Sequence, residues 1–553
     1  RLYLFFFVFF SFFAFSLAFF SQPCYTSGDG ALAQRERITL AVWGSGVQIP
    51  YAPPKTEIPS MEIGGIFVFR ILLFLRYISF VMSQGGISFC VFCPIAPQED
   101  SMKHSLTEGS IWKSMLFFAF PILLGNIFQQ LYNTADAFIV GRFLEKNAYA
   151  AVSSSGSLIF LLVGFFTGIA VGAGVVIARY YGAKDYDKLH TAIHTTLAFG
   201  LAAGIILTVL GMTLTPQLLR LMKTDPQVLP NSVAYFRMYF AGSIAIVLYN
   251  MCVGILQAVG DSRHPLHYLI LSSLINVGLD LLFVGVFGLG VWSAATATTI
   301  AQFISLGLCL YRLCHYDTVY RVQLHKIRFN IPMLRQIVHF GLPSGVQNSI
   351  IAFANVIVQS NINAFGADAM AGCGTYSKLE GFAFLPITCF TMALTTFVSQ
   401  NLGAHQYDRV KRGVRFGILC SVTMAEVIGA LIFLFSPALV ALFQNDPPVI
   451  TIGVKQAHIE AFFYCFLAFS HCIAAIMRGA GKPTVPMFVM LAVWCVLRVS
   501  YISIVVPLAG RIEVVFSAYP LTWFTSSVIF LIYFLKSDWL HNYDRLEQKK
   551  ALL

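Results

Sequence analysis

The chain has 553 residues, of which 57% are hydrophobic and only 11% charged, and its mean hydropathy is +0.74; this excludes a soluble globule, whose core needs far less apolar material. The formal net charge of +11 is not gathered into a stripe or tail but lies between apolar runs, as the positive-inside rule distributes it, which argues for a lipid bilayer and against nucleic acid as the partner. Because about 20 apolar residues cross roughly 30 Å of hydrocarbon, a chain of this length accommodates around twelve spanning helices.

Residues 1–101 open with an apolar run, Phe5 to Phe20, placed behind Arg1 as a signal anchor would be. A second apolar run is interrupted by Arg70 and Arg76. Between them the segment WGSGVQIPYAPPK, Trp43 to Lys55, resembles the conceptual translation of a transfer-RNA gene. Residues 1–101 are therefore read as an over-extended reading frame with Met102 as the expected start, and no function is assigned to them. Cys90 and Cys93 form a C-x-x-C without the second pair or downstream histidines of a zinc site. The remaining cysteines are scattered through apolar segments and read as small core residues rather than a disulfide framework.

From Ile111 onward, apolar runs lie near 112–138, 148–179, 190–217, 230–257, 266–288, 291–314, 332–364, 370–400, 413–437, 452–477, 484–508 and 513–536. Loops after the even-numbered runs carry most of the Lys and Arg, including Arg179, Lys184, Lys188, Arg263, Lys326, Arg328, Arg409, Arg412, Arg478 and Lys482, which predicts that both termini are cytoplasmic. The loop GAKDYDK at Gly182–Lys188 recurs as GAHQYDR at Gly403–Arg409, each after the second run of its half. The same shift pairs Gly260 with Gly481 and Pro265 with Pro486. One residue more pairs Pro121 with Pro343, Asn126 with Asn348, Asn133 with Asn355 and Phe143 with Phe365.

Two repeats with an even number of spans enter the membrane in the same direction and are related by an axis along its normal, an arrangement typical of secondary transporters. An ATP-driven pump would need a phosphate-cradling loop. The nearest imitation, Gly479-Ala480-Gly481-Lys482, has Ile476 in place of the first glycine and Pro483 where the magnesium-binding hydroxyl belongs. An ion gradient is the remaining energy source.

A charge at the bilayer centre costs at least about 2.5 kcal/mol even on the mildest scale, so each acid within a span calls for a reason. They are Asp136 in the first run, Asp280 in the fifth, Glu380 in the eighth, Glu426 in the ninth and Glu460 in the tenth. Asn276 and Asp280, four apart, put an amide and a carboxylate oxygen on one helix face, and oxygen ligands suit a hard cation. The competing reading is that Asn276 only helps helices pack. For Glu380, Glu426 and Glu460 a position near a span end, or pairing with a base such as Lys378, competes at least equally. Arg237 and Arg498 could snorkel or neutralise an acid. His339, His458 and His471 read as core residues.

The segment FPILLGNIFQQLYNTADAFIVGRF at Phe120–Phe143, the twin GA-x-x-YD-[KR] loops and LQAVGDSRHP at Leu256–Pro265 together resemble the multidrug and toxic compound extrusion (MATE) family, in its bacterial MepA-like branch. The resemblance covers the chain from Met102 to about residue 540. It implies an all-α membrane protein of twelve transmembrane helices, in two six-helix repeats forming a V-shaped two-lobe bundle around a drug cavity. It also implies antiport of organic, often cationic, compounds against sodium or protons, without a cofactor. Members with an ion site in the first lobe use positions matched here by Asp136, Asn250, Asn276, Asp280 and Thr298; Pro121 matches the proline that lets the first helix bend. A helix-7 glutamate used by some relatives is absent, Ile351 standing near its place; the second lobe could recruit Glu380 or Glu460 instead, and the first lobe is read as the principal ion site.

The expected organisation is 102–316 as first lobe, 317–331 as cytoplasmic linker, 332–540 as second lobe and 541–553 as cytoplasmic tail, acting as a monomer in a bacterial plasma membrane. A lipid-linked carbohydrate flippase would require a strongly basic cavity, and the spans hold acids at least as prominently as bases. A membrane enzyme would need a nucleophile with its base or clustered metal ligands, which the sequence does not offer. A non-transporting scaffold or receptor is the alternative from another class. Gln129, Tyr249 and Met392 could line a drug cavity but serve equally in helix packing.

Overall fold

The computed structural model describes residues 105–144, 146–221, 224–443 and 446–545; the expectations for residues 1–101 fall outside them. The described chain is almost wholly helical, without a strand, and its long apolar helices make eleven spans, or twelve when one bent pair counts as a single crossing. In chain order these are α1 (Ile111–Phe143), α2 (Lys146–Gly182), α3 (Tyr186–Leu221), α4 in two segments (Leu229–Ala241 and Ser243–Ala258), α5 (Arg263–Val286), α6 (Trp292–His315), α7 (Ile331–Asn363), α8 (Ala367–Gly403), α9 (Tyr407–Ala441), α10 (Pro447–Gly479), α11 (Thr484–Ala509) and α12 (Ile512–Lys536).

Most helices run beyond the apolar stretch that marks them. Once the backbone is helical, polar residues at either end continue the hydrogen-bond ladder rather than leave it open. Where the ladder breaks, a local cause is visible. The two segments of α4 meet at 47° around Gly242. A Cβ there would collide with Thr299 of α6, whose hydroxyl donates to the Met238 carbonyl at 3.4 Å, so a neighbouring helix presses in and takes up a group at the bend.

Two π-helical segments interrupt the fifth span of each repeat, Leu281–Val286 directly after Asp280 and Leu491–Leu497 directly before Arg498. Such bulges are frequent at functional sites, and each here adjoins a buried ionisable side chain.

The outer helices and the central ones are distinguished by what they expose. On α3 and α9 large apolar residues such as Ile205, Ile206, Val209, Leu431, Leu434 and Phe435 face outward, as a lipid-facing surface requires. By contrast α8 and α10 bury most of their length.

The repeat is visible in backbone as well as sequence. Lys184 and His405, equivalent in the twin loops, share a left-handed φ of 57° and 55°, and Gly260 and Gly481 share 94° and 80°. The two repeats also touch reciprocally. A Cβ at Gly182 would strike the Gln400 carbonyl, and one at Gly403 would strike the Arg179 carbonyl. The equivalent asparagines both cross the seam: Asn126 of α1 donates to Thr388 Oγ1 of α8 at 3.4 Å, and Asn348 of α7 donates to the Gly164 carbonyl of α2 at 3.0 Å.

Candidate functional site

The first acidic site lies between α1 and α5. Asp280 is completely buried and Asn276, one turn earlier on the same face, is 2% exposed. Asp136 of α1 is close enough for the two carboxyl groups to act on each other electrostatically, and Tyr132 and Tyr235 stand close by. Asp136 Oδ1, both carboxylate oxygens of Asp280 and Asn276 Oδ1 are buried and receive no hydrogen bond from a donor, the two carboxyl groups lying close enough to share a proton, and no salt bridge among the described residues reaches either acid. Unpaired buried acceptors are costly, so this grouping has the chemistry of a site that takes up a cation or a proton.

Thr298 of α6 joins the group through its hydroxyl, which receives the Asn276 amide at 3.3 Å and donates to the Ala294 carbonyl at 3.2 Å. Asn250 stands apart from it. Its amide donates to the Ile246 carbonyl at 2.8 Å and its oxygen accepts from Thr167 at 3.5 Å, and it lines a recess between the repeats with Thr167, Gln257, Met392, Thr395 and Thr396. Thus α1, α5 and α6 bring four of the five implied residues together, while Asn250 faces the seam. No cluster of three or more His, Cys, Asp or Glu is found among the described residues.

The second repeat holds a different group. Glu460 of α10 is completely buried; its Oε1 accepts from Gln456 at 2.9 Å and its Oε2 has no partner. The charges of Glu380 on α8 and Arg498 on α11 act on it. Arg498 is 1% exposed, packed over Trp494 and Tyr519 with its guanidinium 4.9 and 4.6 Å from the ring centres, and donates to Thr522 at 2.7 Å. Lys378 instead approaches the Phe443 ring, so the base whose charge acts on these acids is Arg498, from a span distant in sequence and without a direct ion pair to them among the described residues. Removing one member of a buried charged group leaves the others uncompensated. Arg498→Met is therefore expected to lower the thermal midpoint, and Glu460→Gln in the same chain to restore part of it.

Other acids and histidines are settled by their neighbours. Glu426 accepts from the Cys465 backbone amide at 3.2 Å. His339 and His458 are exposed rather than in the core, His458 meeting Ser436 at 3.1 Å, and His471 packs against Phe384 and Trp494.

The repeats are sealed at the end carrying the twin loops. Gly168 and Gly172 of α2 lie so close to Gly345 and Gly341 of α7 that a Cβ on either would meet opposing backbone. Gln400, wholly buried, donates to the Ala258 carbonyl at 2.7 Å and accepts from the Leu106 amide at 3.0 Å. Arg409 donates to the carbonyls of Leu106, Glu108 and Gly109. Sequence reasoning missed Gln400; its one signal was a polar side chain at the end of an apolar run. It also missed the glycine seam, although the glycines of α2 recur at i, i+4.

Pro121 is inside α1 and Pro343 inside α7, each in the half of its helix that meets the other repeat. Two six-span repeats, twin loops and a buried acid in the first span are the features by which a family can be compared. The MatE family profile matches residues 121–282 and 343–503, one copy on each repeat.

The chain belongs to the MatE family.

It is thus a multi-pass membrane transporter rather than an enzyme. The "Probable multidrug resistance protein YoeA" of Bacillus subtilis is 31% identical over 72% of this chain and 88% of its own length. The "Multidrug export protein MepA" of Staphylococcus aureus is 22% identical over 64% of this chain and 78% of its own. Among solved structures, an outward-facing multidrug resistance MATE family transporter of the MOP superfamily matches with a TM-score of 0.73 at 21% identity, over 81% of this chain and 98% of the other. At that identity the match establishes the fold: two MatE repeats, as the sequence predicts.

Proposed function

We propose that this MatE protein exports organic, often cationic, compounds by alternating access, driven by inward movement of sodium or protons. The observation that carries the reading is the pair Asp136 and Asp280, facing each other inside the first repeat with no donor but each other and no base paired to them among the described residues. Such a pair binds a cation or proton and releases it when the surroundings change. Asn276 and Thr298 supply neutral oxygens, while Asn250 lines the recess at the seam with Thr167. Pro121 gives α1 a place to bend, because the missing N–H leaves its ladder incomplete. Glu380 and Glu460 form a secondary acidic group that Arg498 keeps compensated.

The names of the relatives support multidrug export as the substrate class. The lobes proposed are 102–316 and 332–540, joined by a linker at 317–331 and followed by a tail at 541–553, with a monomer in a bacterial plasma membrane and both termini cytoplasmic. The test is reconstitution of the purified chain in liposomes, with ethidium movement followed under a sodium gradient and a proton gradient applied separately. Transport under one of them supports the antiporter and identifies the ion. Absence of movement under both, with uptake of a lipid-linked sugar instead, would replace it with a flippase.

A further inference from the structure

At the sealed end, outside the acidic sites, a recess of about 520 Å³ opens between the α2–α3 hairpin and the start of α7. Its lining includes Arg179, Tyr180, Lys188, Thr191, Asn330 and Gln336. The two cations come from the first repeat, Asn330 from the linker and Gln336 from the second repeat, and Tyr180 bridges the repeats by donating to Gln336 Oε1 at 3.0 Å. Arg179 is oriented by its stack on Tyr543, 4.0 Å from the ring centre. Lys188 pairs with Asp185 at 2.7 Å, an exposed pair of the kind whose ammonium readily shares a second anion. A further cation, Lys326, acts on His190 beside the hairpin, as does Asp187.

The linker that leads into the recess at Asn330 is apolar where a water-facing segment would be polar. Leu324 is 62% exposed, Phe329 49% and Ile331 68%, interspersed with Lys326, Arg328 and Asn330 along the linker. Exposed Leu, Phe and Ile next to Lys and Arg form the surface that settles at the boundary between acyl chains and headgroups. The recess at that depth offers guanidinium, ammonium, hydroxyl and amide donors, a set suited to phosphate oxygens. A headgroup carrying its own ammonium would bring a like charge towards Arg179 and Lys188, so the fit is to an anionic one.

We infer that this recess binds the phosphate headgroup of an anionic phospholipid from the leaflet facing the twin loops. Because both repeats line it, the bound lipid ties them together at the seal and favours the sealed conformation, by differential binding to that state. The inference depends on this end lying at a membrane surface and not on which ion, if any, drives transport.

The test uses the full chain, purified in mild detergent with phosphatidylglycerol or phosphatidylcholine, and native mass spectrometry to count retained lipids. Phosphatidylglycerol is expected to be retained over phosphatidylcholine. The double variant Lys188→Gln/Lys326→Gln should lower that retention by about 30-fold, whereas Lys113→Gln/Lys536→Gln, neither of which lines the recess, should not. A thermal melt of each variant separates loss of binding from loss of fold, and Thr191→Leu, which pushes an apolar branch into the recess in place of a hydroxyl without changing charge, should also weaken lipid retention. Equal retention of both lipids, or equal loss in the remote variant, would overturn the proposal. Displacement of the lipid by millimolar inorganic phosphate alone would overturn it in favour of a free-phosphate site.

Discussion

Asp280→Asn is expected to lower gradient-driven efflux at least about tenfold, because a ligand that switches a two-state equilibrium must favour one state by orders of magnitude and the variant removes one of its two charges. An amide has nearly the shape of the carboxyl it replaces. It can donate to Asp136 and so imitates the loaded, neutral state while leaving the packing of α1 against α5 intact. The melt should therefore stay close to that of the parent chain while transport falls. Asp136→Asn should behave alike, and Thr298→Ala should weaken ion dependence more mildly, since it removes one neutral oxygen. Dye flux in liposomes under each gradient is the measurement. Undiminished transport by Asp280→Asn would move the coupling site away from this pair and towards Glu380 and Glu460.

Gly172→Leu is expected to hold the repeats apart at the sealed end. The Gly172 position has no room for a Cβ against the Gly341 backbone, and overpacking a closed seam costs about 1–3 kcal/mol. If that cost falls on the sealed state alone, the balance shifts about 5- to 150-fold towards the open one. The readout is labelling of Thr396→Cys, in the recess between α2, α4 and α8, by a membrane-impermeant thiol reagent applied from the twin-loop side, set against Gly172→Leu without the added cysteine. Labelling should rise at least about fivefold, with Gly172→Ala giving a smaller rise. Unchanged labelling would mean that the contact between α2 and α7 persists through the transport cycle and is not the gate.

The structure also explains why the acidic sites were unequally legible. Asp136 and Asp280 could be singled out as isolated carboxylates in apolar runs, and Asn276 followed from its spacing of four to Asp280, because helical periodicity is local. Asn250 was implied by the same family pattern, yet its hydrogen bonds turn it to the seam. A side chain's direction there is set by the bend at Gly242 and by Thr299 pressing on it, neither of which leaves a periodic trace. Glu460 and Arg498 lie in different spans, and only packing of α8, α10, α11 and α12 brings an arginine rather than Lys378 to the second repeat's acids.

What the sequence determined by itself is the membrane class, the number of spans and the parallel duplication. Those rest on the hydrocarbon thickness, on backbone hydrogen bonds that must close within each helix, and on matching residues at a constant shift. The tertiary structure decided which faces of those helices meet. The seam through Gly172 and Gly341, the crossing asparagines Asn126 and Asn348, the latch at Gln400 and the recess beside Arg179 each depend on surfaces far apart in the chain. Apolar runs dictate that a helix forms and is buried in the bilayer, but lipid tails are as apolar as leucine, so hydrophobicity does not choose the neighbour. Close backbone approach at small residues and buried hydrogen bonds make that choice, and they are visible only once the helices are packed.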